Sequence, residues 1–550
     1  MRLKKTMKTK LSILLVSIAA LGLTSCNDWL NLTPPDRVSD KAAWESKEST
    51  DLYINNFYEY IAIYGQFGDQ QFQGNLTEGL TDTFKYGSPI LGNRAGDSNH
   101  YVFTPETMSS AGSMLCCWTN TYTRIRRINE FLASMEAYST YSEADNKLYE
   151  AQARFFRAFL YFQLAKRHGG EIIIFKTLDK TVKNTPLTAA ADTWQYIYEE
   201  LMFAAENLPE EWNSQNTGRV TKGAAYALLS RAMLYAERWD DAKDAAEEVL
   251  ALGYTLADSY EKATKGGNSE SILEFNYLVT GPNHYWDRYM CMYHEYTTAG
   301  GAAPTQEMVE SYEAKDGSKV DWEKWHSEEG TTEYPPYDEL EPRFAATILY
   351  NGAEWKGVEL ECCVDGTYGT YVDYGVEPYP YGKTVTGYYM RKFRQEENTD
   401  LTNVASTSAW VELRLAEVLL NLAEAELRLG YDGVAMGYIK QIRDRVGLPT
   451  DLSLTGDDAF AALVHERKIE LAYEGHLWWD MRRWGLSEEA YNGYRVHGMK
   501  ITKEGSGYRY QYVDADGTDR KYLSRMNRLP IPDEELRNNN AITQFPEWNF

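Results

Sequence analysis

The chain has 550 residues, 56 of them Lys or Arg against 81 Asp or Glu, a formal net charge of −25 at pH 7. So acidic a surface repels nucleic acid and other polyanions and is poorly suited to lying on anionic lipid, whereas a neutral or cationic ligand fits it easily. Beyond the N-terminal leader no stretch reaches eighteen consecutive apolar residues, so no spanning helix is expected there, and the length is ample for a large core.

The leader is the clearest signal. Arg2, Lys4, Lys5, Lys8 and Lys10 precede the apolar run Leu11–Leu21, which is too short to span a bilayer and right for the h-region of an export signal. The run ends in Leu23-Thr24-Ser25-Cys26, small residues before a cysteine, as lipoprotein processing requires: the thiol takes a diacylglycerol and cleavage then frees the Cys26 amine. Residues 1–25 are expected to be a lipoprotein signal peptide, with Cys26 the lipidated first residue. Each buried acyl methylene contributes about 0.8 kcal/mol, so several chains hold a body stably at a membrane. Without the five basic residues of the leader, 51 bases face 81 acids, a net of −30.

Helical periodicity then sets in. Trp118–Met135 repeats apolar residues at Trp118, Tyr122, Ile125, Ile128 and Leu132. Ala151–Lys166 is aromatic-rich and stops at Gly169-Gly170. Asp192–Leu208 opens with Asp192-x-x-Gln195, a capping-box pattern, and closes at Pro209. Thr221–Gly253 reads as two alanine-rich helices joined at Arg238-Trp239-Asp240, and Leu413–Pro449 repeats that design around Gly430-Tyr431-Asp432. Such hairpins resemble tetratricopeptide repeats, and their irregular spacing predicts a partial superhelix rather than a plain solenoid.

Residues 256–404 lose this periodicity. Gly, Pro, Tyr and Trp become frequent, with short β-like runs at Ser271–Tyr277, Thr370–Tyr374 and Val385–Phe393. From Tyr277 to Tyr389 there are 21 aromatics in 113 residues, against 14% for the whole chain, densest at Tyr285–Tyr296 and Trp322–Trp325. This is a loop-rich insertion between helical hairpins, and loops on a rigid scaffold are where recognition concentrates. Flat aromatic faces suit the C–H faces of sugar rings, with neighbouring polar groups fixing orientation.

A last helical run begins near Asp457-Asp458 and ends in YEGHLWWDMRRWG, residues 473–485. Its charges and tryptophans invite an active-site reading. Yet His465-Glu466 does not extend to H-E-x-x-H, and His476 and Asp480 have no Ser or Cys partner nearby. Glu466, Glu470 and Glu474 fall on one helical face and need cations from elsewhere; Arg414, Arg443 and Arg445 are at hand, which predicts a partly buried ionic network in a scaffold. Cys116, Cys117, Cys291, Cys362 and Cys363 form no C-x-x-C pair and are expected to be buried thiols.

Glu466–Gly485 resembles the C-terminal signature of the SusD/RagB family of outer-membrane nutrient-binding lipoproteins. RLAEVLLNLAEAEL and IRDRVGLP resemble the segments before it, ARFFRAFLYFQLAKRHGG an early helix ending in paired glycines, LPIPDEELRNNNAITQFP the closing motif and CNDWLNLTPP the first mature segment. Leu477, Glu171, Asn540 and Phe545 depart from the family pattern at scaffold positions.

The resemblance implies a mainly α fold: one domain over residues 26–550, with a helical scaffold at about 40–255 and 405–490, a loop-rich ligand-binding part at about 256–404 and an irregular C-terminal segment, 491–550. It implies a lipid-anchored, surface-exposed outer-membrane protein that captures oligosaccharides or polysaccharides and delivers them to a SusC-type TonB-dependent transporter. No cofactor, metal or catalysis is expected. Peptide capture, as in RagB-like members, is the alternative. A glycoside hydrolase would need two carboxylates about 5–5.5 or 6.5–9.5 Å apart across a cleft, and no motif supports one. The family's ligand loops fall in two regions here, around Leu80–Arg94 and in the aromatic insertion. Asp82, Tyr86, Trp286, Tyr289, Tyr296 and Trp325 are the expected ligand contacts.

Overall fold

Helix starts and stops follow local chemistry. Ser46, Ser142 and Thr221 each turn a side-chain oxygen to a backbone N–H of the first turn, opening α1 (Lys47–Tyr64), α3 (Glu143–His168) and α5 (Lys222–Tyr235); α2 is Trp118–Tyr138. Gly169 closes α3 at φ 64°, a conformation that favours glycine, after Lys166, Arg167 and His168 have placed positive charge at the helix's negative end. The other scaffold helices are α4 (Ala190–Asn207), α6 (Trp239–Ala251), α7 (Leu415–Leu429), α8 (Asp432–Arg445), α9 (Gly456–Glu470) and α10 (Leu477–Arg483). The structure is a computed structural model describing residues 41–67, 76–86, 115, 117–178, 183–297, 299, 302–375, 381–517 and 519–549.

The fold is mainly α, as expected. Helices α2 to α6 pack on one another in chain order, and α7 packs on both α6 and α8. The hairpins α5/α6 and α7/α8 therefore stack directly, although the whole insertion separates them in sequence. Small buried side chains at the seam, Ala227, Ala232, Ala242, Ala246, Ala416 and Ala423, let the backbones approach closely.

The insertion leaves and re-enters the scaffold through one neck. Strand β1 (Ser271–Phe275) pairs antiparallel with β2 (Trp410–Arg414), Trp410 opposite Phe275 and Arg414 opposite Ser271. Within the insertion the expected runs at Thr370–Tyr374 and Val385–Phe393 reduce to two-residue strands, Thr370–Tyr371 and Tyr389–Met390.

Arg414, at the end of β2, fastens this neck to the scaffold. It binds Glu270, Glu470 and Glu474 at 2.7–2.8 Å. Arg445 adds Glu270 and Glu470, and Arg443 takes Glu466 and Glu313. Two cations that the sequence did not point to come from the insertion: Arg343 on Glu341, Glu466 and Glu470, and Lys392 on Glu474. Glu466 and Glu470 of α9, and Glu474 in the turn beyond it, are thus neutralised from both the scaffold and the insertion. Buried pairs of this kind fix register more than they add stability.

Three local expectations are corrected. Helix α4 starts at Ala190 with Ala189 as an uncharged cap, so Asp192 lies in the first turn and acts on the helix dipole rather than as a capping box. The run into YEGHLWWDMRRWG is not one helix. It breaks after Glu470, with Tyr473 at φ 64° and Gly475 at φ 82°. A Cβ on Gly475 would meet Gln66 Nε2 at 2.3 Å, and its N–H donates to Glu78 Oε1 at 2.8 Å, so the break docks the chain onto residues 76–81. Residues 491–550 are more regular than expected, for β3 (His497–Glu504) and β4 (Gly507–Asp514) form an eight-residue hairpin that buries Met499, Ile501 and Tyr510.

Cys117, Cys291, Cys362 and Cys363 are free thiols, the last three buried; Cys26 and Cys116 lie outside the described residues. Among the described residues no helix is long and apolar enough to cross a membrane.

Candidate functional site

The densest aromatic cluster of the insertion folds as a short helix, Trp286–Met290, followed by a turn. Spacing decides which rings face where. Trp286 and Met290, four residues apart, point inward. The Trp286 ring lies 5.0 Å from Phe67 and 5.9 Å from Phe393, in a buried cluster that includes His284 and Trp410. Tyr285, Arg288 and Tyr289 are half-buried on the outer side. The Arg288 guanidinium sits 4.4 Å from the Tyr285 ring and 5.6 Å from the Tyr296 ring, and donates to the carbonyls of Leu401 and Thr402.

Glu295 holds the turn that follows. It accepts from Met292 N at 3.0 Å, Trp355 Nε1 at 3.1 Å and Arg394 Nη2 at 2.7 Å, and pairs with Lys356 at 3.0 Å. Burial alone would raise its carboxyl, but Arg394 and Lys356 outweigh it and bring it down to about 2. With Glu295 anchored inward, Tyr293 and His294 are left outward. Tyr293 N donates to Gly382 O at 3.1 Å, and only glycine fits there, because a Cβ at Gly382 would meet Tyr293 N at 2.6 Å. The contact brings Tyr381 alongside, while His294 meets the Tyr368 ring edge-on at 5.0 Å. Tyr293, Tyr368 and Tyr381 are 48%, 38% and 36% exposed. The result is an open aromatic surface assembled from three loops on a rigid ionic clamp. Behind the clamp, Trp355, Arg391, Arg394 and Glu396 line a polar cleft of about 330 Å³.

The six residues expected from sequence are placed unequally. Tyr289 and Tyr296 are half-buried, Tyr289 edge-on to Tyr285 at 6.4 Å and Tyr296 beside the Arg288 guanidinium at 5.6 Å. Trp286 is 1% exposed and faces inward. Trp325, 8% exposed, donates its Nε1 to Glu333 O at 3.1 Å and packs edge-on to Trp322. Tyr86 is buried against Gly79, its hydroxyl donating to Leu76 O. In this conformation these three rings have almost no face to offer a ligand. Asp82 is partly exposed and paired with Lys468 of α9 at 2.7 Å. Asn93 and Arg94 of the same loop lie outside the described residues. Tyr293, Tyr368 and Tyr381 were missed, because exposure alone distinguishes them from many similar tyrosines.

The stretch YEGHLWWDMRRWG is scaffold. Asp480 takes Arg467 at 2.8 Å and Arg483 at 2.9 Å, which outweigh its burial and bring it to about 2. Burial pushes His476 down to about 4, so its ring is neutral. Among the described residues no group of three or more His, Cys, Asp or Glu is placed to hold a metal ion.

A model of the SusD family matches residues 269–548, and one described as "Starch-binding associating with outer membrane" matches residues 28–234. A SusD-like protein from Bacteroides ovatus is 25% identical, the alignment covering 93% of this chain and 90% of the relative. A solved SusD-like protein from Bacteroides fragilis superposes with a TM-score of 0.79 at 26% identity, covering 94% of this chain and 99% of its own. Surface glycan-binding protein A from Bacteroides uniformis shares the fold, with a TM-score of 0.63 at 20% identity, covering 91% of this chain and 99% of its own.

Proposed function

The chain belongs to the SusD family, and from that premise we propose that it is a surface lipoprotein, anchored through Cys26 in the outer membrane, that captures oligosaccharides without cleaving them and passes them to a SusC-type TonB-dependent transporter. The observation that carries the reading is the aromatic surface of Tyr293, Tyr368 and Tyr381, with Tyr289 and Tyr296 beside it. Open rings held on a rigid base present flat apolar faces to sugar C–H groups, and Arg288 and His294 stand among them as hydrogen-bond donors. Trp286 holds its own short helix against Phe67 and Phe393, and Trp325 packs within its own loop against Trp322. Asp82, tied to α9, and Tyr86 would position the second ligand loop rather than lie under the sugar. One of the matching family models is described by starch binding and outer-membrane association, and one fold neighbour is named as a surface glycan-binding protein, which supports the ligand class and the location.

Affinity electrophoresis through gels containing single neutral polysaccharides tests the reading. Retardation by one glycan class, with the glycan recovered at its original length, supports it. Shortened glycan would point to a hydrolase, and binding of basic peptides alone would point to peptide capture. Co-purification with an outer-membrane transporter tests the delivery step separately.

A further inference from the structure

The indole of Trp479 is approached by three cations. Lys166 Nζ and the Arg167 guanidinium each lie 4.8 Å from the ring centre, and the Arg482 guanidinium 4.9 Å. Among the described residues none of the three ends on a carboxylate. Arg167 donates to Leu115 O and to the backbone and side chain of Gln163. Arg482, 5% exposed, donates through Nη2 to Met526 O and Asn527 O, and the Tyr522 hydroxyl stands against its guanidinium, so its partners are neutral oxygens. The Lys166 ammonium lies over the rings of Phe162 and Trp479, with the Arg231 guanidinium and the Glu412 carboxylate near enough to act on its charge. Elsewhere in this scaffold the buried Arg231, Arg414, Arg467 and Arg483 all find carboxylates. In a chain with 25 more acids than bases, unpaired cations gathered in one place are a local reversal of sign.

Lys166 and Arg482, but not Arg167, border a cleft of about 380 Å³ between the ends of α3, α5, α7 and α10, walled by Trp194, Trp239 and Trp479. Arg428 stands at its edge, 5.6 Å from the Trp239 ring, and Glu237 is an exposed carboxylate on its lining. No lining residue comes from the aromatic insertion, so the cleft is a separate feature from the glycan surface.

We propose that this cleft binds a small organic carboxylate, the anion seated on the Lys166 ammonium in the field of Arg167 and Arg482, and its ring or apolar body against the tryptophan walls. The volume is of the size that encloses a small ligand, and one free ammonium suits a single carboxylate better than a phosphate dianion, which needs several convergent donors. Burial, with Arg167 and Arg231 adding to it and Glu412 opposing, holds the Lys166 ammonium well below its usual value. An arriving carboxylate restores its affinity for the proton, so binding is linked to proton uptake.

The test uses the purified protein with glucuronate against glucose (the same ring with and without the charge), benzoate and inorganic phosphate. Tryptophan fluorescence and calorimetry in two buffers of different ionisation heat supply the readout. Glucuronate or benzoate should bind with proton uptake, glucose should not, and Lys166→Gln should weaken binding at least ten-fold while leaving Tm unchanged or higher. Lys166→Arg, which keeps the charge, should retain binding. Binding of neither carboxylate, binding unchanged in Lys166→Gln, or phosphate held more tightly than both acids would each overturn the proposal. If Lys166→Gln fails to fold, carboxylate binding to the unmodified protein without proton uptake would also overturn it.

Discussion

Arg394 lies beneath Glu295 and donates through Nη2 to both oxygens of its carboxylate, at 2.7 and 2.8 Å. The pair is buried, and it joins the turn that displays Tyr293 to the strand-like segment leading back to the scaffold. Removing one member leaves the other charge without compensation, which costs about 3–5 kcal/mol for a buried pair. Glu295→Ala should therefore lower stability by about that amount and weaken ligand binding, because the turn that carries Tyr293, His294 and Tyr296 loses its anchor. Denaturant unfolding and calorimetry on the same variant read both effects.

The exposed and buried aromatics should separate cleanly on substitution. Tyr293→Ala and Tyr368→Ala should each shift stability by no more than about 0.5 kcal/mol, as surface changes do, and each should reduce glycan affinity by about 1 kcal/mol, roughly five-fold. Trp286→Ala should do the reverse in emphasis, costing about 3–5 kcal/mol of stability because it empties a packed site among Phe67, Phe393 and His284. Paired melting and binding curves for the three variants check this.

The neck of the insertion should fail if its cation is lost. Arg414→Met leaves Glu270, Glu470 and Glu474 competing for Arg445, Arg343 and Lys392, and should cost about 3–5 kcal/mol. Hydrogen exchange should show the loss of protection concentrated in β1 and β2.

Glu78 gives a pH signature of known sign. Burial raises its carboxyl to about 7, although the Gly475 N–H and Lys392 favour ionisation. Between about 4.5 and 7 the folded state holds a proton that the unfolded state has released, so stability falls as pH rises through that window. Glu78→Gln keeps an oxygen for the Gly475 N–H and removes the titration. Its unfolding free energy should match the parent's near pH 4 and exceed it above pH 7, by up to about 3 kcal/mol. Equal pH profiles for the two proteins would show that Glu78 does not titrate in this way.

Acid should act in the opposite sense through the paired carboxylates. Glu295, Glu417 and Asp480 are each brought to about 2 by arginines that outweigh their burial. Their contribution is complete above the ordinary carboxylate range and is lost progressively as pH falls from that range through about 2, so stability should decline across this window. Circular dichroism from pH 5 to pH 1.5 follows the loss.

What could be read from the sequence tracks how local the cause is. Helix periodicity, alanine-rich hairpins and the spacing of Glu466, Glu470 and Glu474 are properties of neighbouring residues, and the helical scaffold and part of its ionic network were legible from them. Arg343 and Lys392 were not, because their partners lie far along the chain and only folding brings them together. The β3–β4 hairpin was legible in principle: Met499 and Ile501 alternate with polar residues before the Gly505-Ser506-Gly507 turn, a period-2 signal overlooked beside the stronger helical ones. At the ligand surface, composition located the aromatic region but not the faces. The i, i+4 spacing of Trp286 and Met290 marked Trp286 as an inward residue, whereas the exposure of Tyr293, Tyr368 and Tyr381 depends on Gly382 admitting the Tyr293 backbone and on Glu295 turning inward, neither of which a composition count contains.

The most direct measurement is calorimetric titration of the purified protein with the neutral polysaccharide that retards it most, beside the variant carrying Tyr293→Ala, Tyr368→Ala and Tyr381→Ala together. Loss of at least a hundred-fold in affinity with an unchanged melting temperature would place glycan capture on this surface. Unchanged affinity in the folded triple variant would contradict it.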